Sequence, residues 1–248
     1  MTKASSLDTA IPMLAAICFG LAVLGGLAAL LSGLGHRWGW WGFQTGFTIL
    51  RWAAAGGSGV AVVSLFTCVL ALSRRAWRKL ILAAIALPIA LASAGIPLSH
   101  MVQARGAPPI HDVTTNLDDP LKFVALLPHH QGAGNSARSS AHQLQAYPEL
   151  APVTYRLPPA QVFERALDVA RGLGWEIVAV VPAEGRIEAT ERSFWFGFTD
   201  DIVIRVRSHP DGAQANIRSA SRVGESDLGV NARRIKAFID KLVAGSVP

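Results

Sequence analysis

Residues 73–80 read SRRAWRKL, and this octet separates two long apolar stretches of the chain. Its four basic residues lie close enough together to form one short connection between two helices. They are Arg74, Arg75, Arg78 and Lys79. Loops beside transmembrane helices that are rich in Lys and Arg stay on the cytoplasmic side. The octet therefore predicts a membrane protein and also the side on which this connection lies.

Outward from the octet, three stretches carry no charged side chain, at residues 11–34, 52–72 and 80–98. An α-helix needs roughly 20 residues to cross a hydrocarbon core of about 30 Å, so each stretch is long enough to span. We predict a membrane domain over residues 1–99 with transmembrane helices at 11–34, 50–72 and 80–98. A cleaved signal peptide is the alternative for the first stretch, but its apolar part exceeds the usual length of about 7–15 residues.

The net charge of +6 is unevenly distributed over the 248 residues. Seven Lys or Arg precede His100 together with one acidic residue, Asp8, whereas sixteen basic and sixteen acidic residues follow. The positive excess thus belongs to the membrane part, where it indicates orientation and contact with lipid head groups. We expect the lipid bilayer as a partner and no nucleic acid. If the octet lies in the cytoplasm, the third helix carries the chain back across the membrane. We therefore predict a multi-pass protein of the inner (cytoplasmic) membrane whose C-terminal domain lies in the periplasm or an equivalent extracytoplasmic space.

Beyond the membrane part, residues 100–157 are rich in Pro, Gly, Ser and His and predict a tether, least structured over Gln131–Ser140. Asp118 to Leu127 has a helix-start pattern for one or two turns, and a strand over 153–157 also fits. Residues 158–248 predict an α+β domain: a helix, four antiparallel strands and a final helix, with both helices on one sheet face in a helix-grip-like order. The predicted elements lie at 158–174, 175–181, 186–191, 201–207, 213–219 and from Ser226 or Asp227 onward.

Several blocks of the C-terminal region resemble one known family. They are IHDVTT at 110–115 with Asp118, Asp119 and Pro120, then EGRIEAT at 184–190, WFGFTDD at 195–201 and SASRVGESDLGVNARRI at 219–235. In this order they resemble the family catalogued as domain of unknown function 1499, over the region from residue 110 to the end of the chain. The resemblance implies an exposed or lumenal α+β domain and no established activity.

The start of the last helix is the first candidate binding site. Ser221, Arg222, Ser226 and Asn231 surround it, and the backbone N–H groups at a helix N-terminus favour an anionic group. An acidic ligand or a lipid head group can dock at such a place. Asp227 opposes this interpretation because its charge repels an anion and its side chain can cap the same donors. The alternative is a capped helix in which Arg222 pairs with a nearby carboxylate.

Asp200 and Asp201 form the second candidate, at the start of a strand. With Glu188 they offer oxygen ligands for a hard cation, or carboxylates for acid/base chemistry. The alternative is a turn followed by an ion pair to Arg205 or Arg222.

The histidines and the aromatic cluster leave two further alternatives open. His111, Asp112, His129 and His130 allow metal capture or belong to a solvated tether. The aromatic residues Phe194, Trp195, Phe196 and Phe198 predict core or sheet cover, or a partner or lipid surface where they are exposed.

No glycine-rich phosphate loop, nucleophile elbow or Cys/His cluster is present in the sequence. We therefore predict no cofactor, no metal and no catalytic residue. The leading hypothesis is a non-catalytic extracytoplasmic binding or scaffold module in the cell envelope, acting on an envelope protein or a lipid head group. Two alternatives stay open. One is an envelope-acting metal-dependent hydrolase that uses Asp200, Asp201, Asp227 and Arg222, and the other is a lipid-binding module.

Overall fold

The computed structural model describes residues 6–74, 77–130 and 137–244, with side chains omitted at 6–10, 78–79, 104 and 137–138. Arg75 of the basic octet and residues 131–136 of the predicted tether therefore lie outside the described residues. The chain divides into two compact units. A helical unit comprises Met1–Arg105 and Phe194–Gly197, and a sheet unit comprises Gly106–Ser193 and Phe198–Pro248.

Three long helices form most of the helical unit. They are α1 (Ser6–Arg37), α2 (Phe43–Ser73) and α3 (Trp77–Gly106). Each contains a stretch that is long and apolar enough to cross a membrane, which confirms the prediction of three such helices. Small residues let α2 and α3 approach closely, since a Cβ atom on Gly57 would lie 2.4 Å from Ser93 Oγ. The helices extend past the predicted ends, which were set by the limits of the uncharged stretches, and α3 continues through Pro97.

The loop Phe194–Gly197 belongs to the helical unit, although it lies far along the chain. The indole Nε1 of Trp195 donates to the Leu30 carbonyl at 2.9 Å, and Arg37 donates to the Phe194 carbonyl at 2.5 Å. The Trp195 ring occupies space beside Gly33, where an added Cβ would come within 2.5 Å of it. Phe196 is buried here and Phe194 is exposed. Trp195 and Phe196 therefore pack with the helices rather than covering the sheet, and the exposed Phe194 leaves open the interpretation as a partner or lipid surface.

The sheet unit contains six antiparallel strands, which confirms the α+β class. The strands are β1 (Asp112–Thr114), β2 (Val153–Tyr155), β3 (Glu176–Val181), β4 (Arg186–Arg192), β5 (Thr199–His209) and β6 (Gly212–Ser221). Their order is β1-β6-β5-β4-β3, and β2 pairs with the other half of β6. At the turn before β4, Gly185 has φ +61 and an added Cβ would meet the Val206 carbonyl at 2.0 Å, so only glycine suits this position.

Two helices cover one face of the sheet, as predicted. They are α5 (Pro159–Gly172) and α6 (Val230–Ala244). Their apolar faces meet inward-facing side chains of the central strands in one core, whose members include Ile187, Ile202, Ile204, Ile217, Phe163, Ile235 and Phe238. Helix α6 begins later than predicted because Leu228 and Gly229 have positive φ, which no right-handed helix accommodates.

The other sheet face is covered by residues 116–126, which we call the strap. Leu121, Phe123 and Leu126 of the strap pack on Val203 and Ala220 in a second, smaller core. The strap has no helix, so the predicted turns from Asp118 to Leu127 are wrong; a single 3-10 turn follows at Leu127–His129. Its backbone N–H groups instead bind a side chain of the sheet, as described below.

The segment 100–157 is therefore not a loose tether where it is described. It supplies β1, β2, the strap and the helix α4 (Ala137–Ala146). On α4, the Gln143 amide accepts from the Thr114 N–H at 3.1 Å and donates to the Thr114 carbonyl at 2.6 Å. The strand predicted over 153–157 corresponds to β2, whereas β1 has only three residues, which are too few to show a period of two, and was not predicted.

Candidate functional site

Asp201 lies at the centre of a buried ion-pair cluster on the strap face of the sheet. Its carboxylate accepts two hydrogen bonds from Arg222, both at 2.9 Å, and lies 2.8 Å from His130 Nε2. The His130 ring stacks on Phe123 with centroids 4.2 Å apart. Burial opposes ionisation of Asp201, but the hydrogen bonds from His130 and Arg222 outweigh it and lower the pKa of this carboxyl. Asp201 is thus an ionised anchor on β5 that holds Arg222, which follows β6, and His130, which follows the strap.

Asp200 faces the opposite side of the sheet, since adjacent strand residues alternate between faces. It accepts a hydrogen bond at 2.7 Å from Arg234 of α6, which also donates to Glu191. The carboxylates of Asp200 and Asp201 therefore cannot ligate one cation together. Among the described residues, no three His, Cys, Asp or Glu side chains group as a metal site.

The start of α6 is closed by the protein's own carboxylate. Asp227 accepts from the Gly229 N–H at 2.8 Å and from the Asn231 N–H at 2.7 Å. Burial raises the pKa of Asp227, and these two N–H bonds partly offset that effect. The Asn231 amide in turn donates to the His111 carbonyl at 2.9 Å and to Ser221 Oγ at 3.0 Å. The backbone N–H groups that were predicted to bind an anion at this helix start therefore donate to Asp227 instead.

The eight candidate residues thus fall into separate places. Ser221, Asn231 and Asp227 meet at the start of α6, where Ser226 donates to the Pro108 carbonyl at 3.0 Å. Arg222 pairs with Asp201, and Asp200 pairs with Arg234. Arg205 lies elsewhere, on the strap face, and pairs with Asp119 rather than with either strand aspartate. A ligand role for these residues stays a prediction, and the geometry gives the hydrolase alternative no converging carboxylates.

Two residues expected in a solvated tether are buried instead. Asp112 accepts two hydrogen bonds from Arg218, at 2.9 and 2.6 Å, and both residues are buried. His130 is buried against Asp201, whereas His129 is exposed. The tether interpretation of Asp112 and His130 is therefore wrong. These polar groups are buried because each forms an ion pair or hydrogen bond with a residue far away in the sequence.

Glu188 holds the strap on the sheet. Its fully buried carboxylate accepts three consecutive backbone N–H bonds, from Val124 at 3.0 Å, Ala125 at 3.1 Å and Leu126 at 2.9 Å. Arg186 also donates to it. A row of backbone N–H groups is a common anion-binding arrangement, and here the anion is part of the protein. The oxygens of Glu188 are therefore engaged within the fold.

Beside this anchor, a groove of about 490 Å³ opens between the strap and strands β4 and β5. Four cationic and two acidic side chains line it, and the buried Glu188 beside it binds one of the cations, Arg186, so one positive charge is in excess. These side chains are Lys122, Arg186, Arg205, Arg207, Asp119 and Glu184. Of this set, only Arg205 was predicted as a binding residue. The alternation of Arg205 and Arg207 along one strand was the available signal, but the position of Arg186 opposite them depends on strand register.

The arginines of the groove form ion pairs with acidic residues of the protein itself. Arg205 and Arg207 donate to the same oxygen of Asp119, at 2.7 and 3.1 Å, and Arg186 donates to Glu184 at 2.8 Å. The hydrogen bond from Arg205 lowers the pKa of Asp119, so this carboxylate is ionised. Both acids are more than half exposed, at 57% of their side-chain surface. They are therefore screened by water and bind the arginines weakly.

Two features of the groove are unfavourable for the unliganded protein. Arg186 on β4 lies directly opposite Arg205 on β5, and like charges in such a cross-strand pair destabilise a sheet. In addition, Arg205 Nε is buried and has no hydrogen-bond partner in the part of the chain that is described. Guanidinium groups stay protonated at neutral pH, so they suit the binding of an anion rather than proton transfer.

Comparison with known proteins identifies the region that carries this groove. The sequence profile of a family described as a protein of unknown function (DUF1499) matches residues 112–242. The match runs from β1 through most of α6 and includes the strap, the sheet and both covering helices. No curated protein matches the chain.

Proposed function

The chain belongs to the DUF1499 family, and from that premise we propose that it is an inner-membrane protein that presents the family domain outside the cytoplasm as a non-catalytic binding or scaffold module. Three helices hold the module at the membrane. The groove beside the strap is its contact surface. One observation carries this proposal: Arg186 and Arg205 lie opposite each other on two neighbouring strands, and the buried Nε of Arg205 has no hydrogen-bond partner among the described residues.

The charge distribution supports the orientation. In the sequence, five basic residues flank the apolar stretches on the side that we assign to the cytoplasm: Lys3, Arg74, Arg75, Arg78 and Lys79. Only Arg37 and Arg51 lie near the connection between α1 and α2. The positive-inside rule therefore favours a cytoplasmic N-terminus and α2–α3 connection, with the chain after α3 outside.

Contacts within the helical unit support the count of crossings. Arg37 at the end of α1 bonds to the Phe194 carbonyl, and Trp195 bonds to Leu30 on the same helix. A contact of this kind requires an even number of crossings between Arg37 and Phe194. The two helices α2 and α3 supply two crossings, which is consistent with three spans in total.

A photo-crosslinking amino acid placed at Lys122 of the full-length protein, in intact cells, tests this function. Lys122 is exposed and lines the groove. The matched control is the same amino acid at Asp168, an exposed position on α5, which packs on the opposite sheet face. We expect an adduct of defined mass at Lys122 that is absent at Asp168 and that disappears when Arg205→Gln is added. Identical adduct patterns at the two positions would overturn the assignment of the groove as the contact surface.

A further inference from the structure

We infer that the groove binds a phosphate group, carried either by a soluble phosphate compound or by an anionic lipid head group. This inference rests on the proposed binding function and names its ligand class. It assigns Arg186, Arg205 and Arg207 as the direct ligands, with Lys122 at the rim.

Charge balance is the first argument. The two acids of the lining and the buried Glu188, which binds Arg186, together balance three of its four cations, so one positive charge is in excess. A phosphate monoester carries about −1.5 to −2 at neutral pH, which offsets that charge and also replaces part of the negative charge of the exposed acids when they turn toward water.

The arrangement of donors is the second argument. Arg205 and Arg207 lie on one strand with one residue between them, and Arg186 lies on the neighbouring strand opposite Arg205. Three planar forks thus approach one volume from two strands, which suits a tetrahedral group with several oxygens better than a single planar carboxylate. The buried Nε of Arg205 is a donor that such an oxygen can satisfy.

The bonds already made by the acids do not prevent this binding. Asp119 and Glu184 are each 57% exposed on the side chain, so they can turn toward water when an anion enters. Glu188 is different, because it is fully buried and stays bound to the strap. A volume of about 490 Å³ lies within the range of roughly 300–1,000 Å³ that small-molecule sites occupy.

The test uses the full-length protein in phosphatidylcholine nanodiscs at constant ionic strength. In the first arm, inorganic phosphate is titrated by calorimetry, with succinate as the planar dianion for comparison. In the second arm, the discs contain phosphatidic acid, and native mass spectrometry measures the lipid that the protein retains. Saturable phosphate binding identifies a soluble source, and selective retention of phosphatidic acid identifies a lipid source.

Arg205→Gln is expected to lower the affinity for whichever phosphate species binds by about tenfold or more, since it removes a charge-assisted donor. The matched control is Arg171→Gln, an exposed arginine on α5 that is ion-paired to Asp168, which should bind as the wild type does. Thermal unfolding verifies that both variants are folded. The inference is overturned if neither phosphate species binds, if succinate binds as tightly, or if the two variants lose equal affinity. A crosslink at Lys122 with no phosphate binding would overturn the ligand class and leave the proposed function standing.

Discussion

Arg186 and Arg205 occupy directly opposed positions on β4 and β5, so two guanidinium groups share one rung of the sheet. Their surroundings differ. Arg186 donates to the buried Glu188, whereas Arg205 donates to the exposed Asp119, which Arg207 also holds. A residue kept for ligand binding at such a place should contribute little to folding.

We therefore predict that Arg205→Gln changes the free energy of unfolding by less than about 1 kcal/mol in phosphate-free buffer, because the lost surface pair is offset by relief of like-charge repulsion. Arg186→Gln is the matched variant. It should destabilise by about 2–3 kcal/mol, because it removes the cation from a buried carboxylate. Denaturant titration of the purified protein measures both. Equal destabilisation by the two variants would contradict a ligand-binding role for Arg205.

The strap depends on one carboxylate. Glu188→Gln leaves at least one strap N–H group without a charged acceptor, so we predict a loss of about 3 kcal/mol and earlier protease cleavage within residues 116–126. Glu184→Gln provides the control, since this acid is exposed and should alter stability by about 0.5 kcal/mol or less. Limited proteolysis followed by mass spectrometry locates the cut. An unchanged cleavage pattern in Glu188→Gln would show that the strap is held by its apolar contacts alone.

The ion pairs of Asp201 should make the free energy of unfolding depend on pH in the acidic range. The pKa of Asp201 in the folded protein lies below its ordinary value of 3.8, so the folded state favours the ionised form. The stabilisation is present above pH 3.8 and is lost as the pH falls through the lower folded pKa. We predict that the wild type and Asp201→Asn differ most at neutral pH and converge as the pH falls from about 5 to about 2.

Asp211→Asn is the control for this titration, since Asp211 is exposed at the turn between β5 and β6. Unfolding midpoints followed by tryptophan fluorescence give the comparison. If the difference in unfolding midpoint between wild type and Asp201→Asn stays constant over the whole pH range, the ionised carboxylate of Asp201 does not stabilise the folded protein, and the prediction is wrong.

Local patterns in the sequence were sufficient for part of this architecture. The apolar runs predict α1 to α3, and the change from helical to strand period locates α5 and the strands β3 to β6. Those features depend on neighbours along the chain. The short strand β1, the strap and the Asp112–Arg218 pair depend instead on contacts across about a hundred residues, which no local pattern encodes.

The candidate site shows the same division. Polar residues near the start of α6 were found because capping has a sequence signature, yet they serve the fold itself. The groove was missed because Arg186 and Arg205 become neighbours only through strand register. Lys122 joins them only through the strap, whose path over the sheet follows from the Glu188 anchor.

The most direct test of this account asks on which side of the membrane the family domain lies. The only native cysteines, Cys18 and Cys68, are in the spans and buried, so a single exposed cysteine reports its own location. We would place one at Asp211→Cys, in the sheet unit, and one at Ser73→Cys, at the end of α2, and add a membrane-impermeant maleimide to intact spheroplasts. We predict labelling of Asp211→Cys before permeabilisation and of Ser73→Cys only after it. The reverse pattern would contradict an extracytoplasmic binding module.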